Sequence, residues 1–197
     1  MPIMTANVAT QFIEDYFNET DRDTHGRYMS WRHCYKAFFE NRNAINEQTI
    51  DYLSLHLAFY FASWGMYRGS SFLLQKDYKV NIPVVKIIQE QKYNPLHCIS
   101  AEKLCEGHSL DLLNDIAGRI RDCYAKEQPS FAGTHNNATD TLVTKILLGT
   151  LGCVPAFDRY YVSSVKKNHI SKGIFNRKSV RSVAEFYCDN LDVFENL

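Results

Sequence analysis

Residues 145–161 read KILLGTLGCVPAFDRYY, and the side chains in that stretch with chemistry to offer are Lys145, Asp158 and Arg159. A lysine amine becomes a nucleophile only when desolvation or a neighbouring cation lowers its pKa. Ile146, Leu147 and Leu148 follow Lys145 directly and are the residue types that would desolvate it. The plainer reading makes Lys145 a surface lysine on one side of a short helix. Asp158 then serves as a carboxylate in the first turn of a helix that opens at Pro155, favoured by the helix dipole by about 0.3–1 kcal/mol.

Arg159 opens a second candidate. Between Arg159 and Arg181 stand seven basic residues (Arg159, Lys166, Lys167, Lys172, Arg177, Lys178, Arg181) and no acid. On a helix from Pro155, the spacing of Phe157, Tyr161 and Val165 turns them to one face, while Arg159, Ser163 and Lys166 share another. Lys172, Arg177, Lys178 and Arg181 surround a turn at Gly173 and the start of a final helix, where free backbone N–H groups favour an anion. Tyr160, Tyr161 and Phe175 interleave with the cations, a mixture suited to following a phosphate backbone and stacking bases. The competing reading is a solvated cationic face that pairs with the acidic N-terminal region or with an acidic protein partner.

Two further clusters carry reactive types. In WGMYRGSS, Arg68 closes the most apolar segment, so it needs an acidic partner or an anion, because an unpaired buried charge costs several kcal/mol. His56, on nearly the same face, reads as a core histidine. HCISAEKLCEGH places His97, Cys98, Cys105 and His108 within twelve residues, but the spacing is not that of a structural zinc site. No metal or cofactor is expected.

The segment TKILLGTLGCVPAFDRYY, residues 144–161, resembles the part of helix-hairpin-helix DNA glycosylases in which a lysine-bearing helix is followed by a short loop and an aspartate-bearing helix start. The resemblance implies that Lys145 is a nucleophile and that Asp158 stabilises a developing sugar cation, in a glycosylase/lyase-like base-excision activity.

The elements that must hold these residues read as helices. Val8, Phe12, Ile13, Tyr16 and Phe17 form one stripe, and Trp31, Tyr35, Phe38 and Phe39 another, separated by the polar NETDRDTHGR. Ile50, Leu53, Leu57, Phe61 and Trp64 predict a central apolar helix over about 48–74, although Gly65 and Gly69 inside it cost about 1 kcal/mol each relative to alanine. IPVVKIIQ at 82–89 mixes β-branched residues with a helix-start proline and is read as helix. Ser109 reads as an N-cap, with Leu113, Ile116, Ile120 and Tyr124 as the buried face. QPSFAGTHNNATDT at 128–141 reads as a mobile or ligand-facing loop. Helices are expected over about 141–151, from Pro155, and after Ser179, where Ser182 and Glu185 stand at capping-box spacing. The fold class is therefore all-α: a compact single-domain bundle of about seven to nine helices, with an acidic N-terminal lobe over 1–127 and a basic C-terminal lobe over 141–197.

Charge and cysteine usage narrow the function. The chain has 197 residues, with 22 basic and 22 acidic, which argues against coating nucleic acid or membrane by bulk charge. From Met1 to Asp51, eight acids face five basic residues, so the charge is lopsided along the chain. Six scattered cysteines without a CxxC pair, and a start without a signal-peptide pattern, point to the cytoplasm. The uncharged run from Tyr52 to Tyr67 is shorter than the roughly 20 residues that span a bilayer, so no membrane role is expected. The leading expectation is a helical protein that binds nucleic acid or another phosphate-bearing ligand through its basic C-terminal segment. The alternative is a non-enzymatic protein-protein interaction module using the same basic face, and base excision is third.

Overall fold

Apolar residues at three- and four-residue spacing turn to one side of a helix and need another helix to cover them. In the computed structural model, which describes residues 6–69, 71–127 and 138–194, with side chains from Thr10 onward, that need is met by helices alone. The described residues form α1 (Ala6–Arg22), α2 (Met29–Asn41), α3 (Glu47–Ser63), α4 (Ile82–Ile88), α5 (Ala101–Leu104), α6 (Gly107–Glu127), α7 (Asp140–Leu151), α8 (Arg159–Lys167), α9 (Arg177–Cys188) and α10 (Leu191–Phe194). Short 3-10 segments at Phe72–Gln75, Tyr78–Asn81 and Gln91–Leu96 join them, and no strand occurs among the described residues. The all-α bundle read from periodicity is the architecture found.

The core is built around α3 and α7. Ile50, Leu53, Leu57 and Phe61 of α3 are buried, as are Leu142, Val143, Ile146 and Leu147 of α7. Helix α2 packs on both α3 and α7, α6 packs on α4, and α9 closes the far side against α5. Tyr124 of α6 is fully buried and donates its hydroxyl to Asn81 Oδ1 at 2.7 Å, which satisfies a polar tip inside the core. None of the helices among the described residues is long and apolar enough to cross a membrane.

Several boundaries differ from expectation. The central helix ends at Ser63, not near residue 74, because Gly65 takes a left-handed φ of 73°. Met66 N–H then bonds Phe61 O at 2.9 Å and Gly65 N–H bonds Ala62 O at 3.3 Å, the paired closure of a Schellman C-terminus. Helix α6 begins at Gly107, so Ser109 lies inside it, buried, and is not its cap. Helix α8 begins at Arg159 instead of Pro155, and α9 begins at Arg177 with Asn176 as N-cap, so Ser182 and Glu185 make no capping box. The 82–89 segment is helical, as α4. In α1, Phe12 and Phe17 are exposed rather than buried. The loop expected at 128–141 falls mostly on residues 128–137, outside the described residues.

Candidate functional site

Two turns of chain bring Lys145 and Asp158 together. Helix α7 stops at Gly152, whose left-handed φ of 64° lets its N–H close on Leu147 O and Leu148 O at 3.0 and 3.2 Å. The following segment then folds back along α7. Thr141 Oγ1 donates to Phe157 O at 2.9 Å, and Phe157 N–H donates to Thr144 Oγ1 at 2.8 Å. These two bonds set Asp158 beside the Lys145 turn of α7. Asp158 is the N-cap of α8: its Oδ1 accepts from the backbone N–H of Tyr160 and of Tyr161, both at 3.0 Å.

Lys145 is only 6% exposed. Its Nζ donates to Trp64 O at 3.0 Å and sits 5.5 Å from the centroid of the Trp64 ring. Trp64 is the C-cap of α3, so the ammonium meets the negative end of that helix. Burial pushes the amine below the usual lysine range; the nearby Asp158 carboxylate opposes this and the Arg27 guanidinium adds to it. A deprotonated Lys145 could still donate one N–H to Trp64 while keeping its lone pair for attack.

These groups line one cavity of about 760 Å³, with Arg27, Tyr28, Arg68, Thr141, Arg159 and Tyr160 around them. Arg159 lies over the Tyr160 ring at 4.6 Å and donates to its hydroxyl at 2.6 Å. Tyr28 meets Trp64 edge to face at 5.8 Å, and Trp64 Nε1 donates to Ser30 Oγ at 3.0 Å, so the aromatic wall is pinned. The cavity thus carries Arg27, Arg68, Arg159 and Lys145 against one carboxylate, whose Oδ1 accepts both capping N–H bonds. Among the described residues, none of the four cations is in an ion pair. Arg68 is exposed rather than buried, and of the two partners expected for it, an acid or an anion, no acid pairs with it among the described residues; its guanidinium rests against Gly65.

The cations of the basic C-terminal segment do not all line one cavity. Lys166, Lys172 and Lys178 line a second cavity of about 510 Å³ with His169, Asn176, Ser179 and Ser182, and no acid lines it. Its geometry depends on the end of α8, where His169 takes a left-handed φ of 57° while Ile170 N–H bonds Val165 O at 2.9 Å. Gly173 then approaches α8 so closely that a Cβ there would lie 2.8 Å from Val162 Cγ1.

Four residues expected to bind lie outside both cavities. Arg177 pairs with Asp111 and its Nη2 donates to Gly107 O at 3.5 Å, and Arg181 Nη2 donates to Cys105 O at 3.2 Å; both arginines hold α9 to the α5–α6 corner. Tyr161 points inward, its ring 4.9 Å from Phe157 and its hydroxyl buried, which raises the phenol pKa. Lys167 is exposed and lines neither basic cavity. His97, Cys98, Cys105 and His108 do not converge, and the described residues contain no cluster of three or more potential metal ligands.

Arg27 and the Tyr28–Trp64 wall were not singled out from the sequence. Arg27 lies in a polar connection with no periodicity to mark it. It reaches the cavity through the tight turn in which Gly26 N–H bonds Asp23 O and Met29 N–H bonds Gly26 O, each at 3.0 Å. No family model, no curated protein and no solved structure matches this chain.

Proposed function

We propose that this protein binds a phosphate-bearing ligand, nucleic acid or a smaller phosphate compound, with an anionic group held among Arg27, Arg68, Lys145 and Arg159. One observation carries the reading: four cations line a single cavity whose one carboxylate is occupied as a helix cap. Like charges gathered at a partly desolvated site repel one another, so the arrangement costs folding free energy unless an anion relieves it. The volume lies within the roughly 300–1,000 Å³ of small-ligand sites, and Tyr28, Trp64 and Tyr160 offer faces for a base or another flat group. Titration calorimetry with mononucleotides and short oligonucleotides over a salt series tests it. Binding should weaken as salt rises and be lost in Arg68→Gln/Arg159→Gln; no binding at about 50 mM salt, or binding indifferent to salt, overturns it.

A second reading, glycosylase/lyase-like base excision, is favoured by the desolvated Lys145 amine in the same cavity as Asp158. Borohydride reduction in the presence of abasic-site DNA should then trap the protein on the DNA, and Lys145→Ala should abolish trapping. Trapping unchanged in that variant excludes the role.

A further inference from the structure

The two basic cavities lie at opposite ends of one helix. Arg159 opens α8 and lines the arginine cavity; Lys166 stands in its last turn and lines the lysine cavity. They are seven residues apart, two turns along one face and about 10 Å along the axis. Ser163 lies between them on that face, and Arg159, Ser163 and Lys166 are all exposed. The opposite side of α8 is turned into the protein through Tyr161 and Val165. The exposed side of α8 thus carries no acid between an arginine cavity with aromatic walls at one end and a cavity lined by three lysines at the other.

The lysine cavity has no acid in its lining, and the arginine cavity has one carboxylate, Asp158, against four cations. Lys166, Lys172 and Lys178 form no ion pair among the described residues, in contrast to Arg177 on the same helix as Lys178, which is paired with Asp111. Tyr160, at the arginine end, is 69% exposed; its hydroxyl accepts from Arg159 Nη2 at 2.6 Å, and the guanidinium lies 4.6 Å from the ring centroid. An exposed aromatic stiffened by a cation is a stacking platform for an unpaired base. A duplex keeps its base faces inside the stack, so neither the platform nor the aromatic-walled cavity would be used by it.

We infer that the ligand of this site is a single-stranded nucleic acid that runs along α8, with one nucleotide in the arginine cavity, a base stacked at Tyr160 and further phosphates on Lys166, Lys172 and Lys178. The inference rests on the phosphate-binding reading of the arginine cavity and adds to it a polymeric ligand, a path and a second contact point.

Fluorescence anisotropy with a mononucleotide, a length series of oligothymidylates and a duplex of matched length separates the two levels. A strand long enough to reach the lysine cavity should bind at least about tenfold more tightly than the mononucleotide or the duplex. In Lys166→Gln/Lys172→Gln/Lys178→Gln, mononucleotide binding should stay unchanged, while the advantage of the long strand disappears and its salt slope falls by about 2, the expectation for three lost single-strand phosphate contacts. Tyr160→Ala should weaken the strand by about tenfold. If binding requires Arg68 and Arg159 but does not grow with strand length, or the three lysine substitutions leave strand affinity unchanged, or duplex binds as well, the strand path is wrong and the arginine site stands. If neither mononucleotide nor strand binds, or Arg68→Gln/Arg159→Gln binds as well as the unaltered protein, both fail. The length series uses the unaltered protein, so it decides even if a variant folds poorly.

Discussion

Lys145 Nζ donates a 3.0 Å hydrogen bond to the carbonyl oxygen of Trp64, 81 positions earlier in the chain, and so joins the middle of α7 to the end of α3. This bond places a cation at a helix C-terminus, where the dipole favours it, and within the wall of the arginine cavity.

Lys145→Met keeps most of the side chain's length but removes the donor and the charge. The Trp64 carbonyl then loses its partner, at a cost of about 1–2 kcal/mol, which a lower urea midpoint would register. The pH response supplies an independent check. Because burial lowers the folded amine's pKa, the unfolded chain binds more protons between that value and the ordinary 10.5. Stability contributed by this group therefore rises as pH climbs through that window, and the slope should vanish in Lys145→Met.

Asp158 separates capping from charge. Asparagine caps a helix about as well as aspartate, whereas alanine costs about 1 kcal/mol. Asp158→Asn should leave the thermal midpoint nearly unchanged and tighten anion binding by removing the cavity's one negative charge. Asp158→Ala should lower the midpoint as well. Equal midpoints for Asn and Ala would show that the two N–H bonds to Asp158 contribute little.

Gly149 tests the packing of α7 against α3. Alanine is the better helix former by about 1 kcal/mol, so propensity alone predicts a gain. A Cβ at this position would stand 2.6 Å from Cε1 of Tyr60, a fully buried ring, and overpacking of this kind costs about 1–3 kcal/mol. Gly149→Ala should therefore be destabilising by denaturant titration; a gain in stability would mean that Tyr60 moves freely.

Acid should weaken the fold through His56 and His97. Burial lowers both pKa values, with His33 adding to the effect at His56 and Arg42 at His97. Below pH 6.5 the unfolded chain takes up these protons first, so the contribution present at neutral pH is lost as pH falls through the folded values. Paired substitution by glutamine should flatten the thermal midpoint's dependence on pH between about 7 and 5.

The sequence by itself determined the helices, because helix formation reads out over three or four residues. The Ile50–Leu53–Leu57–Phe61 spacing gives α3, Leu113–Ile116–Ile120–Tyr124 the buried face of α6, and Arg159–Ser163–Lys166 the exposed face of α8. It was weaker at the ends. Gly65 looks like a costly interior residue by spacing, whereas its left-handed backbone terminates α3. Only the tertiary structure decided which cations remain unpaired. Arg177 and Lys178 are neighbours in one basic run, yet Arg177 meets Asp111, 66 positions away, while Lys178 turns to the lysine cavity. Arg27 had no local pattern at all and reached the arginine cavity through a turn. Periodicity is local, whereas a cavity is assembled from residues whose meeting depends on how helices pack, and that is settled by burial of the whole core.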